Sequence, residues 1–136
     1  MQSNNTVSIR FSDEFEQELY RLSKRFRNIR SDVQPVIEQL QQGNIVGDHI
    51  AGIGEEYIVY KVRVRNSSIQ KGKSAGYRLI YQVESPTSIL LLTIYSKSDR
   101  EDISANEIRD IMADFSGESA QNCQQIFSGT VSCMPL

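Results

Sequence analysis

The stretch that decides the fold is YIVYKVRVR, which occupies residues Tyr57–Arg65. Apolar and polar side chains alternate along it, and this period of two is typical of a β-strand with two different faces. The face predicted to point into a core carries Ile58, Tyr60, Val62 and Val64. The opposite face carries Val59, Lys61, Arg63 and Arg65. The pattern therefore predicts a sheet with one apolar side and one basic side.

Three more segments have the pattern of strands. Tyr77–Val83 alternates in the same way, with Arg78 on the side opposite to its aromatic and leucine neighbours. Ser88–Ser96 is apolar on both faces, which is typical of a central strand, and Thr6–Phe11 alternates near the start of the chain. We therefore expect an antiparallel sheet of about four strands.

Two amphipathic segments between the first strand and Tyr57 predict a helical hairpin. Ser12 is the expected N-cap of the first helix. The second is expected to begin near Ser31 or Asp32, which places Pro35 in its first turn, and to end at Gly43. The predicted core stripes are Phe15, Leu19, Leu22 and Phe26, then Val33, Val36, Ile37 and Leu40.

A capping box at Ser104–Glu107 predicts a last helix that ends at Gly117. Residues 43–55 are glycine-rich and predict a loop, in which the lone histidine, His49, is interpreted as an exposed bystander. The element order predicts an α+β fold with an N-terminal strand, a two-helix hairpin, a sheet and a C-terminal helix.

The 136 residues suit one domain, predicted over 1–116, with a polar and loosely ordered tail over 117–136. Cys123 and Cys133 fall in that tail and are expected to be reduced rather than to bind metal. The chain has no apolar run long enough to span a bilayer and no leader pattern at its start, so we expect a cytoplasmic protein without a membrane partner.

The net charge of −2 conceals a segregation of charge along the chain. Between Tyr57 and Val83 there are six cationic residues and no acidic one. Such a stripe can bind phosphates even in a mildly acidic chain, although an ordinary solvated sheet face explains it equally well. Lys71 and Lys73, in the connection between two strands, are expected to border the basic face.

No pair of carboxylates, no Ser/His/Asp or Cys/His arrangement and no metal-ligand spacing stands out in the sequence. The acids of the segment Asp99–Asp102 are interpreted as a solvated region before the last helix. If the protein is an enzyme, lysine, arginine and tyrosine must do its chemistry without a cofactor. RNA permits this, because its 2′-hydroxyl is an internal nucleophile that needs only alignment, deprotonation and charge stabilisation.

Three segments together resemble the RelE/HigB branch of the RelE/ParE toxin superfamily. They are YKVRVR at 60–65, GKSAGYRLIYQV at 72–83 and LLTIYSK at 91–97, and the resemblance covers roughly residues 7 to 115. It implies a RelE-like fold and the toxin of a type II toxin–antitoxin system. It also implies metal-independent cleavage of mRNA on the ribosome, and a cognate antitoxin that covers the basic face in a hetero-oligomer.

The resemblance assigns catalytic roles by position. Lys61 and Arg63 match the family's paired basic residues, Arg78 its phosphate-binding arginine, and Lys97 the end of the last strand, where further catalytic groups lie. Arg65, Lys71, Lys73 and Arg100 are the expected RNA-binding residues.

The chain departs from the family pattern at two positions. Ser98 stands where the pattern has an arginine, for which Arg100 is a substitute, and Ser104 stands where it has a tyrosine. Tyr95 or Lys97 is the candidate for the tyrosine's role, which leaves the general base unassigned. Two other functions stay open: inhibition of DNA gyrase, as in ParE, and a catalytically inactive module that binds only its antitoxin.

Overall fold

A computed structural model describes residues 6–54, 56–67 and 76–121, except for the side chains of 115–121. The chain forms two compact units, Met1–Ala105 and Asn106–Leu136. The first holds five strands: β1 (Ser8–Phe11), β2 (Asp48–His49), β3 (Ile58–Val64), β4 (Tyr77–Ser85) and β5 (Ser88–Ser96). It also holds two helices, α1 (Asp13–Ser23) and α2 (Ile29–Gln41), and α3 (Ala105–Gln121) follows. The predicted α+β class and element order are confirmed.

The sheet is mixed, with strand order β1-β5-β4-β3-β2, and this corrects the expectation of about four antiparallel strands. Strands β2 to β5 pair antiparallel with their neighbours, but β1 pairs parallel to β5. The helical hairpin brings the chain back to the end of the sheet at which β1 begins. From there β3, β4 and β5 run in alternating directions, so β5 comes to lie beside β1 and parallel to it. The salt bridge between Arg10 and Glu84, at 3.0 Å, fastens the β1 edge to β4.

Helix α1 begins where its cap predicts. The Ser12 hydroxyl accepts the N–H of Phe15 at 3.0 Å and donates to the carbonyl of Leu92 at 2.7 Å, so it joins the helix to β5. Helix α2 begins at Ile29, earlier than predicted, so Pro35 lies inside the helix and not in its first turn. Ile29 is fully buried, and its packing explains the earlier start despite the hydrogen bond that Pro35 cannot make.

The core lies between the two helices and one face of the sheet. The predicted stripes are confirmed, with Phe15, Leu22, Val33 and Leu40 buried and the other members partly buried. The sheet contributes the predicted face, in which Val62, Val64, Tyr77, Leu79 and Tyr81 are buried and Tyr60 and Val83 partly buried. Ile58, predicted for the same face, is instead 45% exposed at the start of β3. The period of two along β3 and β4 therefore separates the core side from the basic side, although Val59 and Ile80 on the basic side are also fully buried.

Part of the predicted loop at 43–55 is ordered as β2, which pairs with β3 and stacks His49 edge-on to Tyr60 with ring centroids 5.5 Å apart. Gly47 permits this approach. Its φ is +97°, and a Cβ there would lie 2.4 Å from the carbonyl oxygen of Lys61. Any other residue would push the segment away from β3.

Helix α3, in the second unit, begins directly after Ser104, as the capping box predicts. Ile108 and Met112, four residues apart on one side of this helix, are buried. The helix continues through Gly117 to Gln121, so the predicted end is wrong, because one interior glycine costs only about 1 kcal/mol. Residues 122–136, with Cys123 and Cys133, lie outside the described residues, and the division at 116/117 stays a prediction. No helix in the described part of the chain combines the length and apolarity of a membrane span.

Candidate functional site

Three of the predicted site residues lie side by side across the middle of the sheet. Arg63 on β3 is directly opposite Arg78 on β4, and Arg78 is directly opposite Tyr95 on β5. Residues directly opposite in an antiparallel ladder share a face, with Cβ atoms roughly 4.5–5.5 Å apart. We call these residues the Arg–Arg–Tyr row, and the side of the sheet that carries them the basic face.

The two arginines of the row differ in exposure. Arg63 is exposed, and no other described residue forms a hydrogen bond or ion pair with its side chain. Arg78 is buried, which does not fit the alternative of an ordinary solvated sheet face, and its Nη1 donates to the carbonyl of Tyr77 at 3.3 Å. No carboxylate among the described residues pairs with either guanidinium. Two adjacent cations without an acid repel each other, so the row favours an anion from outside the sheet.

Lys61 lies on the same face, one row from Arg63, and is directly opposite Ile80. Its ammonium forms an ion pair with Asp102, with Nζ and Oδ1 3.2 Å apart. The structure therefore brings Lys61 together with an acid from the segment after β5. Asp102 also accepts hydrogen bonds from other groups nearby.

The Oδ1 atom of Asp102 accepts three hydrogen bonds. It accepts the backbone N–H of Ile103 at 2.8 Å, the ammonium of Lys61 at 3.2 Å and the hydroxyl of Tyr95 at 3.3 Å. The bond from Ile103 is the main cause that lowers the pKa of Asp102 below its ordinary value, and Lys61 and Tyr95 lower it further. The carboxylate is therefore ionised at neutral pH.

Tyr95 is buried, and burial is the first cause that raises its pKa to about 12, followed by the charge of Asp102 and the hydrogen bond to it. Arg78 and Arg100 lower this pKa in part. At neutral pH the Tyr95 hydroxyl is thus protonated, and it acts as a hydrogen-bond donor or an acid rather than as the missing base.

Arg100 joins the same cluster from the segment after β5. Its Nε donates to the carbonyl oxygen of Asp102 at 3.1 Å, and its guanidinium lies over the Tyr95 ring, 5.5 Å from the centroid. We call Lys61, Tyr95, Arg100 and Asp102 the Asp102 cluster. That Arg100 takes the role of the family's arginine, where this chain has Ser98, stays a prediction. The Arg100 guanidinium does reach Tyr95, a member of the Arg–Arg–Tyr row.

The remaining predicted site residues lie outside this cluster. Lys97 follows β5, and its backbone N–H donates to the carbonyl of Gly76 at 2.8 Å, while its side chain makes no hydrogen bond or ion pair with another described residue. Arg65 follows β3 and is exposed. Lys71 and Lys73 lie outside the described residues, and their predicted contact with RNA stays a prediction.

A comparison of the sequence with models of known protein families agrees with this fold and site geometry. A family model described as "ParE toxin of type II toxin-antitoxin system, parDE" matches residues 9–101. The chain belongs to the ParE toxin family. It is therefore a type II toxin of the RelE/ParE superfamily, and membership implies an antitoxin partner.

The resemblance found in the sequence is confirmed at the level of the superfamily, and the matched range contains every predicted site residue of this toxin. Asp102 lies one residue beyond the match, and sequence analysis missed it. Nothing in the sequence distinguishes it from Asp99 and Glu101 in the same solvated segment. Only the return of the chain over the basic face brings its carboxylate to Lys61 and Tyr95.

The described part of the toxin contains no group of three or more His, Cys, Asp or Glu side chains arranged to hold a metal ion. The absence of a metal requirement and of a cofactor stays a prediction.

Proposed function

We propose that this toxin binds RNA on its basic face and cleaves mRNA on the ribosome, as a metal-independent endoribonuclease that arrests translation. The Arg–Arg–Tyr row carries the proposal, since two arginines without a carboxylate partner lie beside a buried tyrosine that is protonated at neutral pH. A phosphodiester supplies the missing anion, and guanidinium groups match its oxygens. The proposed place of action is the cytoplasm, where ribosomes and a cognate antitoxin are available.

The reaction that fits this row is attack by the ribose 2′-oxygen on the adjacent phosphorus. The new O2′–P bond forms as the P–O5′ bond breaks, which gives a cyclic phosphate and a free 5′-hydroxyl. Arg63 and Arg78 are placed to stabilise the negative charge that grows on the phosphoryl oxygens. Tyr95 is placed to donate its proton to the leaving O5′ when its O–H turns from Asp102 to that oxygen, and the attacking hydroxyl loses its proton to solvent or a ribosomal group.

The net negative charge of the toxin does not conflict with binding to RNA. Helix α1 carries three acids in its first turn, Asp13, Glu14 and Glu16, and it follows β1 at the opposite edge of the sheet from β2. Of the three, Glu14 reaches the interior strand β5, where its carboxylate accepts a hydrogen bond from Thr93 at 3.4 Å. The described cations of β3 and β4 lie in the middle of the sheet. Because exposed charges are screened over about 8–10 Å, the local positive potential governs the contact with phosphate.

The decisive experiment compares three single-charge variants in cleavage of mRNA on programmed ribosomes, with toxin freed of its antitoxin. Arg63→Gln and Arg78→Gln should each lower the cleavage rate by about 10²- to 10³-fold, as when a charge-stabilising donor is removed. Arg30→Gln removes an exposed arginine from α2 and should leave the rate unchanged. Wild-type toxin that cleaves nothing, or equal rates in all three variants, would refute the proposal.

Inhibition of DNA gyrase is the second candidate, and the match to the ParE family favours it. This function is binding without catalysis, and the fold is compatible with both. Supercoiling by purified gyrase and translation in a cell-free extract separate the two candidates. Arrest of supercoiling with normal translation would assign the toxin to gyrase, and neither effect would assign it to the inactive, antitoxin-binding class.

A further inference from the structure

Asp102 is fixed at the basic face by its own backbone. Its Oδ1 accepts the N–H of the next residue, Ile103, at 2.8 Å, so one of its three hydrogen bonds comes from its own segment and not from the sheet. The side chain is 64% exposed and therefore lies on the solvent side of the cluster, where an incoming RNA would approach. These two properties make Asp102 a fixed point from which other side chains can be oriented.

Lys61 and Tyr95 reach this point from two strands that are not adjacent. Lys61 lies on β3 and Tyr95 on β5, with β4 between them. They are also out of register, since Lys61 is opposite Ile80 whereas Tyr95 is opposite Arg78. The sheet therefore does not by itself bring the ammonium and the hydroxyl together, and their shared acceptor does.

Asp102 also reduces the net positive charge of the basic face. Lys61, Arg63, Arg78 and Arg100 repel one another, and one carboxylate among them offsets part of this repulsion. Asp48 is opposite Lys61 in the β2–β3 ladder, yet the ion pair of Lys61 is with Asp102. Lysine has a long flexible side chain, so a fixed partner removes much of its freedom before a substrate arrives.

We propose that Asp102 is a positioning residue of the ribonuclease site, which holds the Lys61 ammonium and the Tyr95 hydroxyl together so that both meet one phosphate of the bound RNA. This inference rests on the proposed function. Asp102 acts through these two groups and does not itself contact the reacting atoms. The pKa of Tyr95, raised in part by the charge and hydrogen bond of Asp102, agrees with this contact.

The same contacts are compatible with an opposite role, in which Asp102 occupies the phosphate position and must be displaced. The local bond from Ile103 favours the positioning role, because a group meant to leave would not be locked by its own backbone. The two roles predict opposite changes in the cleavage rate when the Asp102 carboxylate is removed. Removal of a positioning acid slows cleavage, whereas removal of a competitor accelerates cleavage.

The kinetic test measures single-turnover cleavage on programmed ribosomes for Asp102→Asn. We expect the maximal rate to fall about 10- to 100-fold, as is typical when reacting groups are misplaced, while binding of RNA is unchanged or tighter because a negative charge is lost. Asp102→Glu retains the charge and should recover part of the rate. Glu101→Gln removes an exposed acid from the same segment and should have no effect.

The spectroscopic test titrates tyrosinate absorbance between pH 9 and 13, with Tyr95→Phe subtracted to isolate Tyr95. In Asp102→Asn the midpoint of Tyr95 should fall by about half a unit or more, because an adjacent negative charge disfavours ionisation. Glu101→Gln should not move it. Circular dichroism at each pH restricts the comparison to folded protein.

The two tests together distinguish every outcome. A slower rate with retained affinity and a lower Tyr95 midpoint supports the positioning role. Faster cleavage by Asp102→Asn, an unchanged rate, or an unchanged midpoint overturns it. If wild-type toxin cleaves nothing, the proposed nuclease and the positioning role both fail, and a shifted midpoint shows only that the Asp102–Tyr95 contact exists in solution.

Discussion

The core face and the basic face of strands β3, β4 and β5 place their side chains in different surroundings. On the core face, Leu79 and Tyr81 are fully buried among other apolar side chains. On the basic face, Arg63 and Arg78 lie directly opposite each other without a carboxylate partner in the described chain. The core face stabilises the fold, whereas the basic face retains unfavourable proximity of like charge, and such a cost is typical of a surface selected for binding.

The largest expected difference between the faces is in stability. Leu79→Ala should lower the free energy of unfolding by about 2–5 kcal/mol, because a fully buried leucine leaves a cavity. Arg63→Ala should change it by less than about 0.5 kcal/mol or raise it, since the exposed arginine faces another cation. Urea denaturation at neutral pH measures both, and similar losses in the two variants would contradict the division into faces.

A second expected effect is loss of stability in alkali, to which tyrosines of both faces contribute. Burial, as the first cause, raises the pKa of Tyr81 and of Tyr95 to about 12 each, so the folded state favours their protonated forms. This stability is complete below pH 10, the ordinary tyrosine value, and is lost as the pH rises towards 12.

Tyr81→Phe removes one of these groups and should reduce the loss between pH 10 and 12 by about 1–2 kcal/mol. Its hydroxyl also donates to the carbonyl of Val46, so the variant should lose roughly 1 kcal/mol at neutral pH. Urea midpoints across this pH range give both quantities. If the wild type and Tyr81→Phe lose the same amount of stability between pH 10 and 12, Tyr81 does not contribute to the alkaline loss.

The third effect concerns the dependence of RNA binding on salt. Arg63→Gln should weaken binding about tenfold at low salt and reduce the slope of log K against log salt by about 0.7, as one lost phosphate contact to a single strand predicts. Arg10→Gln is the matched control, because Arg10 is already paired with Glu84. Equal slopes for the two variants would show that the basic face has no special role in binding phosphate.

The smallest expected effect is the contribution of the Lys61–Asp102 pair to stability. The pKa of Asp102 is lowered in the folded state, so its contribution is present above the ordinary value of 3.8 and is lost as the pH falls through and below it. Because this carboxylate is largely exposed, the contribution at pH 7 should stay below roughly 0.5 kcal/mol. Thermal unfolding of wild type and Asp102→Asn between pH 7 and 2 should converge, and a gap that widens in acid would contradict the sign.

Much of the fold follows from local chemistry. The alternation in β3 and β4, the Ser12 cap and the helical stripes predicted which side chains enter the core, and the structure agrees with them. The start of α2, the strand β2 and the parallel pairing of β1 were missed. Each depends on contacts between distant segments, such as the burial of Ile29 or the approach of Gly47 to Lys61, which no local window contains.

The candidate site divides in the same way. By itself the sequence determined that Lys61 and Arg63 share a face, because residues two apart on a strand must do so. Only the tertiary structure decided that Arg78 and Tyr95 complete a row with Arg63, since that depends on the register between strands. It alone placed Asp102 against Lys61, 41 residues away in the chain, because the contact requires the chain to return over the sheet. Sequence periodicity sets the direction of a side chain, but distance between strands and loops is set by how the whole core packs.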